Sequence, residues 1–166
     1  MKKTYLVGGL ALAAAVAVVA CSSGPTTYTF VGGCNGVTVT LGAGGVQLSG
    51  PCTLGSAGNY TIGVAALQVS IGTCGHTVVP STVATWTQGS SEINSTFVGA
   101  ADVPCTDAGV IDLTKVIGLN GLFVYDGGTG TFLSATGAAV VADGGVTTTD
   151  GRTFTANLPV AGSLVY

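Results

Sequence analysis

The sequence predicts an all-β fold, an antiparallel β-sandwich or small barrel of about a dozen short strands. Three observations carry this. Short runs rich in Val, Thr, Ile and Phe alternate with polar residues at the two-residue period of a strand. Clusters of Gly, Asn and Asp punctuate them, and Gly alone supplies 28 of the 166 residues. Past residue 27 no stretch reads as a long amphipathic helix.

The expected elements follow in order. Strands are expected at 28–31, 37–41 and 46–48, the last two joined by a turn through Gly42-Ala43-Gly44-Gly45. Runs at 59–64 and 67–71 come next, with Gly63 as the expected bulge. Runs at 77–79 and 82–87 flank Pro80, which lacks the N–H that a ladder uses. A strand at 92–98 follows.

The stretch 108–117 is the one candidate for a short helix or 3₁₀ turn. Val110, Leu113 and Ile117 share a helical face there, and Thr106 or Asp107 could cap it. Asn120-Gly121 reads as a tight turn before a strand at 122–125, and Asp126-Gly127-Gly128 as a turn into 131–135. Strands at 138–141 and 146–149 are parted by Asp143-Gly144-Gly145. Asp150-Gly151 is the strongest hairpin signal and sets 146–149 against 152–155. A last strand at 158–166 closes the chain, with Pro159 hinting at an edge.

Leu158, Val160, Leu164 and Tyr166 alternate as the final strand of an outer-membrane barrel does, but Gly162 breaks the row. The other expected strands also fall short of the roughly 9–11 residues that such a barrel needs, so the segment reads as a core strand.

The N-terminus has a different character. Met1-Lys2-Lys3 is basic, and residues 5–19 form an apolar run. The run is shorter than the roughly 20 residues of a membrane-spanning helix, and has the length and flanks of a secretory signal. It ends in Val18-Val19-Ala20-Cys21. This resembles the lipobox of bacterial lipoproteins, and the resemblance covers residues 1–21 alone. It implies that residues 1–20 are a cleaved signal peptide and that the Cys21 thiol carries a diacylglycerol, with acylation of the new amino group. The implied partner is a membrane, reached through those acyl chains. Residues 21–27 would be the lipidated N-terminus and a flexible tether, and 28–166 a single β-rich domain. Ser22 after the cysteine implies sorting to the outer membrane in a two-membrane cell. In a cell with one membrane it implies the outer face of the plasma membrane.

Charge is scarce, at 7% of residues. Past residue 20 the only basic residues are Lys115 and Arg152. Nucleic-acid binding needs several phosphate-neutralising cations, so that function is excluded, as is a basic patch on anionic lipid.

Five cysteines are present, and assigning Cys21 to lipid leaves Cys34, Cys52, Cys74 and Cys105. An exported chain folds where disulfides persist. A hairpin centred near Ala43 places Cys34 and Cys52 opposite each other, which predicts Cys34–Cys52 and leaves Cys74–Cys105.

Little titratable chemistry is legible. His76 is the one histidine, so a Ser-His-Asp site would have to use it. Copper at Cys74-Gly75-His76 would need Cys74 reduced. The Asp-Gly turns at Asp126, Asp143 and Asp150 lack the spacing of a calcium loop and read as turn formers. Glu92 is the lone glutamate, and nothing fixes its distance from a second carboxylate, as a glycosidase would require. Trp86 and most other aromatics fall on core faces. The Thr-x-Thr pairs, such as Thr38/Thr40 and Thr85/Thr87, could form a binding array, but their irregular spacing suits plain β-propensity.

The function expected is a lipid-anchored cell-envelope β-domain acting as a non-enzymatic binding or structural module, without a cofactor or metal. The alternatives are a small hydrophobic-ligand carrier and a hydrolase or metal-site protein using His76.

Overall fold

The computed structural model describes residues 24–42, 45–67 and 74–166. They form eight antiparallel strands: β1 (Thr27–Gly42), β2 (Gly45–Thr53), β3 (Asn59–Leu67), β4 (Gly75–Gln88), β5 (Ser91–Val103), β6 (Ile117–Gly128), β7 (Thr136–Thr148) and β8 (Phe154–Val165). Each strand pairs with the next in sequence, and β8 returns to β1, so the sheet closes into an up-and-down barrel. Closure leaves no free edge at the seam. At one end Thr26 and Tyr166 exchange backbone hydrogen bonds of 2.7 and 3.1 Å. The connections β2–β3, β4–β5 and β6–β7 lie at this terminal end. The connections β5–β6 and β7–β8 lie at the opposite, loop end.

The all-β expectation holds, and the count of strands is corrected from about a dozen to eight longer ones. The difference comes from Gly and Pro positions that the strands run straight through. β4 passes Pro80 with a register shift between Val79 and Thr82, fusing 77–79 with 82–87. β6 passes Asn120-Gly121. Phe97 is the reason: its ring lies over Gly121, where a Cβ would collide with it. β7 passes Asp143-Gly144-Gly145 as a bulge, with a register shift between Val141 and Gly145 and Asp143 at a φ of 56°.

Other elements move as well. The segment expected as a strand at 131–135 is a connection holding a 3₁₀ turn, Gly130–Phe132. The candidate helix at 108–117 is turns and bends, tied by a bridge between Cys105 and Ile111. Its dense β-branched residues disfavour a helix. The bulge expected at Gly63 falls two residues later: Leu48 pairs with Val64 and Val46 with Leu67, so Ala65 and Ala66 share the extra position. The expected strand 67–71 lies outside the described residues past Leu67. The hairpin at Asp150-Gly151 forms with a five-residue turn, 149–153, and a register one residue off the expected one, Thr148 lying opposite Phe154. That register turns Phe154 into the core, where it is buried. Strands of 9 to 16 residues also remove the length argument against a membrane barrel. Leu158, Val160 and Leu164 nevertheless face the apolar interior.

Cys34 and Cys52 form the expected disulfide across β1 and β2, with Cα atoms 3.9 Å apart. The register explains how. From the turn, Gly42 pairs with Gly45 and Thr38 with Ser49, which would carry Cys34 opposite Thr53. A bulge at Asn35-Gly36 shifts the pairing by one residue and sets Cys34 opposite Cys52. Gly36 takes a φ of 67° there, and its N–H donates to Asn157 Oδ1 on β8 at 3.0 Å. The bulge in β7 is held the same way, Asp143 N–H donating to Asn120 Oδ1 at 2.8 Å.

The interior is apolar and sorted along the axis. Aromatic rings fill the terminal end. Tyr166 stacks on Tyr28 with ring centroids 5.2 Å apart and meets Phe132 edge-on at 4.6 Å. Burial and the Tyr28 hydroxyl hold the Tyr166 phenol up at about 12. Trp86 is fully buried between Phe123 and Tyr125, and its indole N–H donates to Ser95 Oγ at 2.9 Å. It is a core residue, as expected. Aliphatic side chains such as Val39, Val46 and Leu119 fill the loop end.

Two measurements test this packing. Gly121→Ala is expected to cost about 1–3 kcal/mol in urea unfolding, because the added methyl must displace the Phe97 ring; an unchanged midpoint would contradict the contact. Replacing both Cys34 and Cys52 with Ser is expected to cost about 3 kcal/mol, the loop-closure entropy of a bridge of this separation.

Candidate functional site

The described surface offers three places where a function could reside: a polar cluster at the loop end, a groove on the outer wall, and an apolar flank.

The loop-end cluster gathers most of the residues with chemistry. β4 and β5 place His76 opposite Asp102, and His76 Nδ1 meets Asp102 Oδ1 at 2.8 Å. Both side chains are more than half exposed on the convex outer wall. The described hydrogen bonds give His76 this one carboxylate and no hydroxyl, so the histidine and an aspartate come together without the serine of a hydrolytic triad. Cys74, just ahead of β4, and Cys105, just past β5, stand as free thiols, so the second disulfide expected between them is not formed in the structure. Cys74 Sγ instead donates to the Gly109 carbonyl at 3.2 Å, and Cys105 Sγ to that of Val103 at 3.6 Å. The Cys105 thiol beside Cys74 raises the Cys74 pKa.

Segment 104–116 folds over this cluster as a compact excursion. Asp112 organises it by accepting from the Thr114 hydroxyl and amide and pairing with Lys115 at 3.4 Å. These contacts, the Thr114 hydroxyl foremost, hold the Asp112 carboxyl below the usual range.

The Asp-Gly aspartates do not converge. Asp126 pairs with Thr136 near the terminal end, and Asp143 lies seven residues farther along β7, roughly 23 Å at 3.3 Å per residue. Among the described residues no group of three His, Cys, Asp or Glu side chains could hold a metal ion. Asp150 acts as a turn former: its carboxylate accepts from the amides of Arg152 at 2.8 Å and Thr153 at 2.7 Å. Those amides, Thr153 first, hold its pKa down at about 2. Glu92 is exposed on β5.

The outer groove is open and shallow, about 330 Å³, over β2, β3 and β4. Gln47, Ser49, Gly63, Ala65, Val83 and Thr85 line it, so it carries no charge. The register joins Thr155, Thr38, Ser49, Gly63, Thr85 and Asn94 into one row across five neighbouring strand pairs. The pairs Thr38/Thr40, Thr85/Thr87 and Thr153/Thr155 therefore each contribute a residue to this row, which Gly63 interrupts and whose chemistry is hydroxyl and amide. Inside the barrel the described residues enclose small apolar voids, about 50 Å³ beneath Leu41 and Phe154 and about 10 Å³ between Ile62 and Leu158.

The third feature was not legible from strand alternation. Outward-facing apolar residues line up across β5, β6, β7, β8 and β1, where Val98 pairs with Leu122, Leu122 with Val140, Val140 with Ala161, and Ala161 with Val31. Its signal in the sequence is the pair of adjacent apolar residues in each strand, such as Phe97-Val98 and Val140-Val141, which makes both faces apolar.

No family model, curated protein or solved structure matches the chain.

The Asp150 geometry fixes a pH dependence. Folding lowers this pKa, so the stabilisation is complete above the ordinary carboxylate range and is lost as pH falls towards 2. The Asp150 carboxyl carbon is expected to titrate near 2 by NMR. Titration in the ordinary range would contradict the hydrogen bonds at the hairpin tip.

Proposed function

We propose that the protein is a lipid-anchored module of the bacterial cell envelope, held to its membrane by acyl chains on Cys21 and acting by binding or as structure rather than by catalysis. The observation that carries this reading is the sequence Val18-Val19-Ala20-Cys21 behind a basic start and a short apolar run. The Cys34–Cys52 disulfide supports an oxidising, exported compartment. The exposed His76–Asp102 pair on a convex wall favours a non-catalytic role, since catalysis calls for a concave site. The small interior voids weigh against the lipid-carrier alternative, which needs about 300 Å³ or more. The uncharged groove over β2–β4 offers a neutral ligand a place to rest.

Intact mass of the membrane-extracted protein tests the reading. The expected chain begins at Cys21, carries two or three acyl groups, and lacks the two hydrogens lost at Cys34–Cys52. Cys21→Ala is expected to move the protein from the membrane to the soluble fraction of the envelope. A chain retaining residues 1–20, or one without acyl mass, would overturn the proposal.

A further inference from the structure

The outer wall of the barrel is more polar over β2 and β3 than on the flank opposite, while β4 beside them exposes Val78 and Val83. Its outward side chains on β2 and β3 are polar or small apart from Pro51, among them Gln47, Ser49, Thr53, Asn59 and Thr61. The opposite flank carries the apolar row from Val98 to Val31. In the next row toward the terminal end Val124 pairs with Ala138, between Thr96 and Ser163. Neither row contains an Asp, Glu, Lys or Arg, and the acids of β5 and β6 sit at the strand ends as Glu92, Asp102 and Asp126. Exposure is high: Val31 is 79% exposed, and Val140 50%. Leu133, in the β6–β7 connection at the terminal end, adds a side chain 75% exposed. A shallow groove of about 120 Å³ joins Val31, Val140, Pro159 and Ala161 into one surface. Contiguous exposed apolar surface of this kind marks an interaction face.

The route of the chain indicates what covers it. Thr27 pairs with Val165, and Val165 with Thr136, so β1 leaves the barrel beside the strands that carry the flank and the Leu133 connection. Val31 lies four residues into β1, roughly 13 Å from Thr27 at 3.3 Å per residue. Cys21 precedes Thr27 by six residues, an extended reach of at most about 20 Å. A membrane holding Cys21 is therefore within reach of this flank.

We infer that the barrel does not hang free from its anchor but lies on its side, with Val31, Leu133, Val140 and Val124 seated in the lipid interface and the polar β2–β3 flank turned to water. This rests on the lipoprotein reading. The neutral flank recognises the apolar edge of the headgroup region and not anionic lipid, so binding is insensitive to salt. The arrangement leaves the groove over β2–β4 facing away from the membrane, open to a ligand.

Hydroxyl-radical footprinting of the acylated full chain in phosphatidylcholine vesicles tests it, with the Cys21→Ala protein without vesicles as reference. The expected result is slower oxidation of Val31, Leu133 and Val140 on vesicles and unchanged oxidation at Gln47 and Thr61. The paired variant Val31→Asp and Val140→Asp is expected to remain acylated and to float with vesicles, but to lose protection at Leu133. Acylated protein with equal oxidation on both flanks would overturn the inference and leave the lipoprotein reading standing. Protection all around the barrel would mean insertion and overturn it too. The same protection without lipid, growing with protein concentration, would mean that a second copy covers the flank, and would overturn it. A chain without acyl mass would overturn both readings.

Discussion

Closure of β8 onto β1 is the constraint on which the rest of this structure depends. The seam runs from Thr27 opposite Val165 to Val39 opposite Phe154. It removes both edges of an eight-stranded sheet and brings the two ends of the described chain together. A closed sheet must tilt and stagger its strands, and β-bulges supply much of the needed curvature. This explains why the register shifts at several strand pairs, and why the two bulges at Gly36 and Asp143 are each held by an asparagine on a neighbouring strand. An amide oxygen there accepts the N–H that the bulge would otherwise leave without a ladder partner. The disulfide depends on the same geometry, since the Gly36 bulge brings Cys34 opposite Cys52.

Packing inside the barrel follows from closure as well. Once the sheet is shut, its inner face is a fixed volume that side chains must fill. The terminal end is filled by rings in edge-on and stacked contact, and Tyr28 and Tyr166 tie the first strand to the chain end. The cost of that choice is visible at Tyr125, whose buried hydroxyl has no hydrogen-bond partner among the described residues. Glycine answers the same volume limit from the backbone side, and Gly121 leaves room for the Phe97 ring.

Much of this was legible in the residues. Alternation at 37–41 and the Cys34/Cys52 symmetry identified a hairpin and its bridge, and the buried alternate positions of β8 match Leu158, Val160 and Leu164. The surplus strand breaks at the Asn-Gly and Asp-Gly sites share one physical origin. Local turn chemistry at Asn120-Gly121 and Asp143-Gly144 is identical whether the chain reverses or bends within a strand, and long-range pairing decides between them. The site was less legible than the fold. The His76–Asp102 contact comes from pairing β4 with β5 across 26 residues, which no spacing rule anticipates. The apolar flank was hidden because an outward Val in a strand looks like ordinary β-propensity until the register shows its neighbours.

Propensity alone does not account for that flank. β-branched residues are favoured in strands on either face, and this chain meets the preference with Thr on β1 and β3, at Thr38, Thr40 and Thr61. Thr satisfies backbone preference and water at once. On β5 to β8 the outward row Val98, Leu122, Val140 and Ala161 is apolar instead, although the closed barrel already has an apolar interior and gains no core from it. A residue that is exposed, apolar and unnecessary to the core marks a demand from outside the fold. The row from Val98 to Val31 gathers this demand on the flank where β1 begins, although Val78 and Val83 on β4 are exposed as well.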